Sequence, residues 1–326
     1  MASRPIVAVD LGGTKILAAV VTHDSRVVAR EYQPTPDAGE PGIVAAILSA
    51  IDRLLARNSL QISQFEALSL AAAGAVDMEH GVLTQSPNLP HLRDAPLRDI
   101  VQQRYALRTC LIHDASACAL AEHRLGAGRG CRNMVYLTVS TGIGGGIITD
   151  GRLYLGASGG AGEIGHMTID AHGSRDNCGN IGCLEGLASG TAIARAARKR
   201  LVAGEASVLG ERFAGKTESL SAEDVARAAG DGDTLAREVV SQAAYFLGVG
   251  LVNVVNIFNP EVVVIGGGVA RMGEPLLAPA RQVVAERAFR LNAQDARIVT
   301  STLGDDAGVL GAAIYAREQE ATVGRA

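Results

Sequence analysis

The sequence predicts an α/β fold of two lobes built on a common plan. Apolar strand-like runs alternate with helical stretches along the chain, which is the pattern of an α/β protein. The opening unit VDLGGTKILAAVV returns after residue 134 as VSTGIGGGIITDG, each a strand, a glycine-rich turn and a second strand. That is an internal repeat of about half the chain length, not a solenoid. At 326 residues the chain can bury a large core.

Taken in order, IVAVDL, KILAAVV and RVVAREY read as three antiparallel strands around tight turns. Residues 42–58 place Ile43, Ile47, Ile51, Leu54 and Leu55 on one helical face. FEALSLAAAGAVD is a strand and a turn, and LRTCLIHDASACALAEHRLGAG runs from strand into helix. After the repeated unit come helices over 187–202 and 222–230, the second led by the capping box Ser221–Asp224. A helix over 234–257 precedes the buried strand EVVVIGGGV. A helix near 273–288, the strand ARIVTSTL and a helix over 305–320 complete the chain.

Net charge is −4 and no lysine or arginine run occurs, which argues against a nucleic-acid partner. MASRPIVAVDLGG is interrupted by Asp10 too soon to read as a signal peptide. The longest apolar stretch is broken by Asn253, Asn256, Asn259 and Pro260, so it reads as a core helix and a buried strand and not as a membrane span. Five cysteines, an odd number, point to reduced thiols in the cytoplasm with at most one pair on a metal.

Three glycine-rich turns follow apolar runs: Asp10–Lys15, Ser140–Gly146 and Gly266–Gly268. Glycines let backbone N–H groups approach an anion, and hydroxyls add donors. The first two turns lead into strands, which weakens a dinucleotide-fold reading, and the GxxxxGK[ST] pattern is absent. Three such turns together read as a split phosphate cradle. Asp114 stands where a strand passes into a helix, either as the helix N-cap or as a general base. In GEIGHMTIDAHGSRDNCGNIGCLEG, His166, Cys178 and Cys183 have the residue types and spacing of a structural zinc site. Asp176 and His172 are the candidates for the fourth ligand, and Glu163 and Glu185 flank the loop.

These motifs resemble, over essentially the whole chain, those of the ROK sugar kinases within the hexokinase–actin superfamily. VDLGGTK resembles that family's first phosphate turn and TVSTGIGGGII its second. GEIGHMTI followed by CGNIGCLEG resembles its signature, while EVVVIGGGV and GDDAGVLGAA resemble its adenosine-binding segments. The resemblance implies a ribonuclease H-like α/β fold with a cleft between the lobes. The smaller lobe is expected over 1–115 plus 305–326, and the larger, with the metal loop, over 116–304.

The implied activity is ATP-dependent phosphorylation of a hexose, with Mg²⁺ on the phosphates, by a cytoplasmic homodimer free of membrane and nucleic acid. Asp114 matches the catalytic base. Gly74, Asn88, His113, Glu163, His166 and Glu185 match the sugar site. Asp10, Gly12, Gly13, Thr14, Lys15, Thr141, Gly142, Gly144 and Gly267 match the nucleotide site. His166, Cys178 and Cys183 match Zn²⁺ ligands, with Asp176 where the family usually has cysteine. His113 and Ser116 stand where the family usually has asparagines flanking Asp–Ala, and Ala73 replaces the usual proline before Gly74. Glucose is the first expectation for the substrate. N-acetylmannosamine, N-acetylglucosamine and fructose remain open, as does a non-catalytic sugar sensor.

Overall fold

The computed structural model describes residues 4–176 and 178–323. Its strands are β1 (Ile6–Leu11), β2 (Lys15–Val21), β3 (Val27–Pro34), β4 (Ala67–Ala72), β5 (Ala75–Asp77), β6 (Val82–Gln85), β7 (Arg93–Ala95), β8 (Thr109–His113), β9 (Met134–Val139), β10 (Ile143–Thr149), β11 (Arg152–Leu153), β12 (Val262–Gly266) and β13 (Arg297–Thr300). Its α-helices are α1 (Glu40–Arg57), α2 (Leu97–Tyr105), α3 (Asp114–Arg124), α4 (Leu184–Ala188), α5 (Gly190–Val202), α6 (Val208–Arg212), α7 (Ala222–Gly230), α8 (Thr234–Phe258), α9 (Glu274–Arg287), α10 (Arg290–Asp295) and α11 (Ala307–Val323).

The repeat seen in the sequence is a repeat of topology. One sheet has the order β3-β2-β1-β4-β8, and the other β11-β10-β9-β12-β13. In the first, β1 pairs antiparallel with β2 and parallel with β4, and β4 pairs parallel with β8. In the second, β12 lies parallel to both β9 and β13. Central strands such as β4 are buried throughout, as parallel strands covered on both faces must be. β3, at a sheet edge, alternates between exposed positions and partly or, at Glu31, fully buried ones.

The chain divides into two compact units. The first comprises 1–130, 146–162 and 302–326, and the second 131–145 and 163–301. The sequence reading placed the boundaries after 115 and before 305. α3 packs against α11, which keeps it in the first unit and moves that boundary to Gly130.

In the first unit, Ile43, Ile47, Ile51 and Leu54 of α1 pack with Val7, Val9 and Leu70 of the sheet in one apolar core. α11 lies against α3, β4 and β1. Glu122 on α3 is fully buried, and its carboxylate accepts N–H bonds from Ala127, Thr302 and Leu303 at 2.8, 3.0 and 3.0 Å. A buried carboxylate is tolerated when backbone donors satisfy it, and this one binds the start of the α11 segment to the helix that begins at Asp114. The small sheet β5-β6-β7 lies outside the sequence expectation because strands of three or four residues carry too little periodicity, and the nine-residue α2 offers only Leu97, Val101 and Tyr105 as buried positions.

In the second unit, α8 is the core helix and packs against α4, α5, α7 and α9. It is long and apolar enough to cross a membrane by length and composition, yet half of its most apolar window is buried inside the fold. It ends at Asn259, which takes the left-handed conformation, and Pro260 follows. The helix expected over 187–202 is two helices. Ser189 breaks it and caps α5 by accepting from the Ala192 N–H at 3.2 Å. The capping box at Ser221 is present as expected, with Asp224 answering it.

Candidate active site

Each unit carries its own share of the expected site residues. In the first, the β1–β2 turn is closed by the Gly12 N–H donating to the Lys15 carbonyl at 3.0 Å. Thr35 steadies it from outside: its hydroxyl donates to the Gly12 carbonyl at 2.7 Å and its N–H to the Thr14 carbonyl at 3.0 Å. Gly13 has to be glycine, since a Cβ there would lie 2.8 Å from Cβ of Asn88. The phosphate-like turn is thereby pressed onto the segment expected to line a sugar pocket. Gly74 has φ +122°, and any side chain on it would meet Gln85 and Ser86, just before Asn88.

Asp10, near the end of β1, faces the start of α11, where a side chain at Gly308 would come within 2.6 Å of its Oδ2. Its pKa is raised to about 7, first by burial, then by the Asp114 charge and, more weakly, by Asp305, with Lys15 opposing. Lys15 Nζ sits 3.3 Å from Asp305 Oδ2 and 5.8 Å from the centre of the Tyr32 ring. The GDDAGVLGAA segment, read from sequence as adenosine-binding, thus contributes Asp305 and Gly308 beside Asp10 and Lys15.

Asp114 is the first residue of α3, and His113 occupies the N-cap without a side-chain capping bond, so the capping reading of Asp114 does not hold. Asp114 Oδ1 accepts from the Ala115 N–H at 2.7 Å and lies 3.1 Å from His113 Nε2.

In the second unit, Glu163, His166 and Glu185 come together. His166 Nε2 is 3.8 Å from Glu163 Oε2. Glu185 has a raised pKa, chiefly because it is buried; the hydrogen bond it accepts from the Ile143 N–H and the nearby His166 oppose that rise. His166 also belongs to a metal-like cluster. Ligand atoms of His166, Asp176, Cys178 and Cys183 all lie within 4.8 Å of one another. His166 Nδ1 is buried and has no hydrogen-bond partner among the described residues, and the two thiols are 3.5 Å apart. Two thiols, an imidazole and a carboxylate at this spacing fit a tetrahedral zinc ion. The fourth member is Asp176. His172 is outside the cluster, and its N–H donates to Asp170 at 3.0 Å.

The second glycine-rich turn lies in this unit as well. The N–H groups of Gly190 and Thr191, at the start of α5, donate to the carbonyls of Ser140 and Thr141 at 2.7 and 3.3 Å. Gly267, with φ +88°, passes against Val139 where a Cβ would clash. Gly142 lies against the Glu185 carboxylate, and Gly144 lies within β10. Beside this turn opens a cavity of about 1320 Å³, lined among others by Thr141, Thr191, Ala226, Gly268 and Val269. Of its lining, the sequence points to Ser140 and Thr141 in the second glycine-rich turn, Gly268 in the third and Ser221 in the capping box. Arg198, Arg227 and Arg271 also line it, supplying positive charge within a chain of net negative charge.

Comparison with known proteins adds independent evidence. The ROK family model matches residues 6–319. Glucokinase of Halalkalibacterium halodurans is 38% identical over 322 residues, covering 98% of this chain and 97% of that one. Glucokinase of Thermotoga maritima is 34% identical over 98% of this chain and 99% of its own. Among solved structures, a ROK family glucokinase from Streptomyces griseus in complex with glucose and AMPPNP superposes with a TM-score of 0.85, at 34% identity over 96% of this chain and 99% of that one.

Proposed function

The chain belongs to the ROK family, and from that premise we propose that it is a glucokinase, transferring the γ-phosphoryl group of ATP to the terminal hydroxyl of glucose. The observation that carries the chemistry is Asp114, a carboxylate at a strand-to-helix junction in the same unit as the Asp10–Lys15 turn and close enough to act on Asp10 electrostatically.

In this reading Asp114 accepts the proton of the sugar hydroxyl as that oxygen attacks the γ-phosphorus in line. Phosphoryl transfer asks the protein chiefly for positioning and charge stabilisation. Backbone N–H groups of the Gly12–Gly13 and Gly142–Gly144 turns serve the phosphates, and Thr14, Lys15 and Thr141 add polar contacts. The cavity lined by Thr141 and Gly268 takes the nucleoside. Gly74, Asn88, Glu163, His166 and Glu185 serve the sugar, the carboxylates as hydroxyl acceptors. Mg²⁺ brought with ATP supplies charge neutralisation at the phosphates, and Asp10 would hold it through water. A carboxylate whose pKa is raised by burial and by Asp114 fits a neighbouring cation. His166, Asp176, Cys178 and Cys183 would hold Zn²⁺, which supplies structural support for the loop carrying Glu163 and Glu185. Family likeness also supports a cytoplasmic location and a homodimer, and light scattering on the purified protein tests the oligomeric state.

ADP release from MgATP across a panel of glucose, fructose, N-acetylglucosamine and N-acetylmannosamine tests the reading. Turnover fastest on glucose is the expected result, and Asp114→Asn should lower kcat by about 10²–10⁴-fold while glucose still binds. A panel without any turnover overturns the kinase assignment in favour of a sugar sensor. An active Asp114→Asn variant removes Asp114 as the base.

A further inference from the structure

The first two residues of α5 hold the second glycine-rich turn from outside. The Gly190 N–H donates to the Ser140 carbonyl at 2.7 Å, and a Cβ on Gly190 would lie 2.8 Å from that same oxygen. Thr191 makes two bonds to one acceptor. Its hydroxyl donates to the Thr141 carbonyl at 2.9 Å, and its N–H donates to the same oxygen at 3.3 Å. Two consecutive carbonyls of the turn therefore face the start of α5. Both peptides are trans, and a trans peptide carries its N–H opposite its C=O. The N–H groups of Thr141 and Gly142 are thereby turned to the side away from α5, where successive backbone donors suit an anion.

The turn needs such a hold because of Gly142. A Cβ there would lie 2.2 Å from Glu185 Oε2, so no side chain fits. Glycine takes positive and negative φ about equally, so the peptide before it can flip at little cost. A flipped Thr141–Gly142 peptide would present a carbonyl, not an N–H, to a phosphate. Neighbouring groups of the turn are fixed by other partners: Glu185 accepts from the Ile143 N–H at 2.7 Å, and the Gly142 carbonyl accepts from the Ser140 N–H at 2.9 Å. The Thr141–Gly142 peptide is left to Thr191, which supplies both bonds to its carbonyl. We propose that Thr191 is a positioning residue for the phosphoryl donor: its hydroxyl locks this peptide with the N–H toward the phosphates. The inference rests on the reading of Ser140–Gly146 as a phosphate turn and adds to it a residue outside every glycine-rich motif.

Valine keeps the branched shape of threonine without the hydroxyl, and serine keeps the hydroxyl. Thr191 is exposed, so neither change disturbs the core. Thr191→Val should weaken binding of magnesium–AMPPNP about three- to tenfold, the worth of one hydrogen bond, while Thr191→Ser stays within about twofold of the native protein. Thr191 also lines the adjoining cavity, so a direct contact with the nucleoside has to be told apart. Adenosine, which has no phosphate, should compete with AMPPNP equally well in all three proteins. An equal loss for adenosine in Thr191→Val makes Thr191 a nucleoside contact and overturns the inference. So does a Thr191→Ser variant as weak as Thr191→Val, or a valine variant that binds AMPPNP as the native protein does. NMR of the unmodified protein gives a readout that no variant's folding can confuse. The amide protons of Thr141 and Gly142 should move downfield on adding magnesium–AMPPNP and stay in place with adenosine, and unmoved amides overturn the proposal. These are binding measurements, so a sugar panel without turnover would strike the kinase assignment and not the role of Thr191.

Discussion

Glu185 Oε2 accepts a 2.7 Å hydrogen bond from the backbone N–H of Ile143, so a residue of the proposed sugar site also holds the second glycine-rich turn. A side chain on Gly142 would collide with that same carboxylate. In the proposed reading, one carboxylate serves both the sugar and the phosphate turn within a single unit. Glu185→Ala should weaken both substrates: it deletes a sugar acceptor and leaves a backbone donor unsatisfied. Hydrogen bonds to charged groups contribute about 1.5–3 kcal/mol, so KM for glucose should rise roughly ten- to a hundredfold. Glu185→Gln still offers Ile143 an oxygen and should raise KM for glucose while sparing KM for ATP. Steady-state kinetics in both substrates decides. An alanine variant with normal KM for ATP would show that the turn is held without Glu185.

Asp10 sets a pH dependence of stability. Its pKa of about 7 in the folded chain stands above the ordinary 3.8. Between those values the folded protein keeps a proton that the unfolded chain has released. The stabilisation is therefore complete below the lower value and is lost as pH rises through the higher one. Asp10→Asn abolishes this dependence. Without nucleotide or magnesium, the variant's melting temperature should gain steadily on that of the native protein from about pH 5 to about pH 8. A constant gap across that range would mean that Asp10 titrates as an ordinary surface carboxylate.

What the sequence revealed, and what it hid, follows from how far apart the cooperating residues lie. The β1–β2 hairpin and α1 were legible because their apolar positions repeat within one element, and every core residue named for α1 is buried. The cavity was not, since its lining comes from residues between Ser140 and Pro275 that only the folded chain assembles. Spacing could not choose between Asp176 and His172. The chain chooses by folding the loop back on itself, with bridges pairing Arg175 to Ile181 and Thr168 to Cys183, and this carries Asp176 to the thiols. Likewise HDAS announced a departure from the family pattern, but that His113 Nε2 comes within 3.1 Å of Asp114 Oδ1 is visible only in three dimensions.

The cavity in the second unit admits a selective test. Ala226 lines it from α7, where it is only partly buried, so a large side chain can grow into the cavity without disturbing the core. Ala226→Trp should raise KM for ATP by at least about tenfold, the equivalent of losing about 1.4 kcal/mol of binding. KM for glucose should not change. If it rises in step with that for ATP, or if neither moves, the nucleoside binds elsewhere.

Metal binding can be separated from activity altogether. Burial, followed by the neighbouring Cys178, pushes the Cys183 thiol well above its ordinary pKa, so a metal must displace a proton to bind there. Affinity for zinc should therefore climb with pH. Metal analysis of untagged protein should find about one zinc per chain, and stripping it with a chelator should lower the melting temperature, because a ligand held only by the folded state stabilises that state. Asp176 is the discriminating position. Asp176→Cys supplies a softer donor and should tighten zinc against a competing chelator, whereas Asp176→Ala leaves three ligands and should loosen it. Equal competition curves for the native protein and Asp176→Ala would remove Asp176 from the ligand set, and the aspartate would then be a carboxylate beside two thiols with no metal between them.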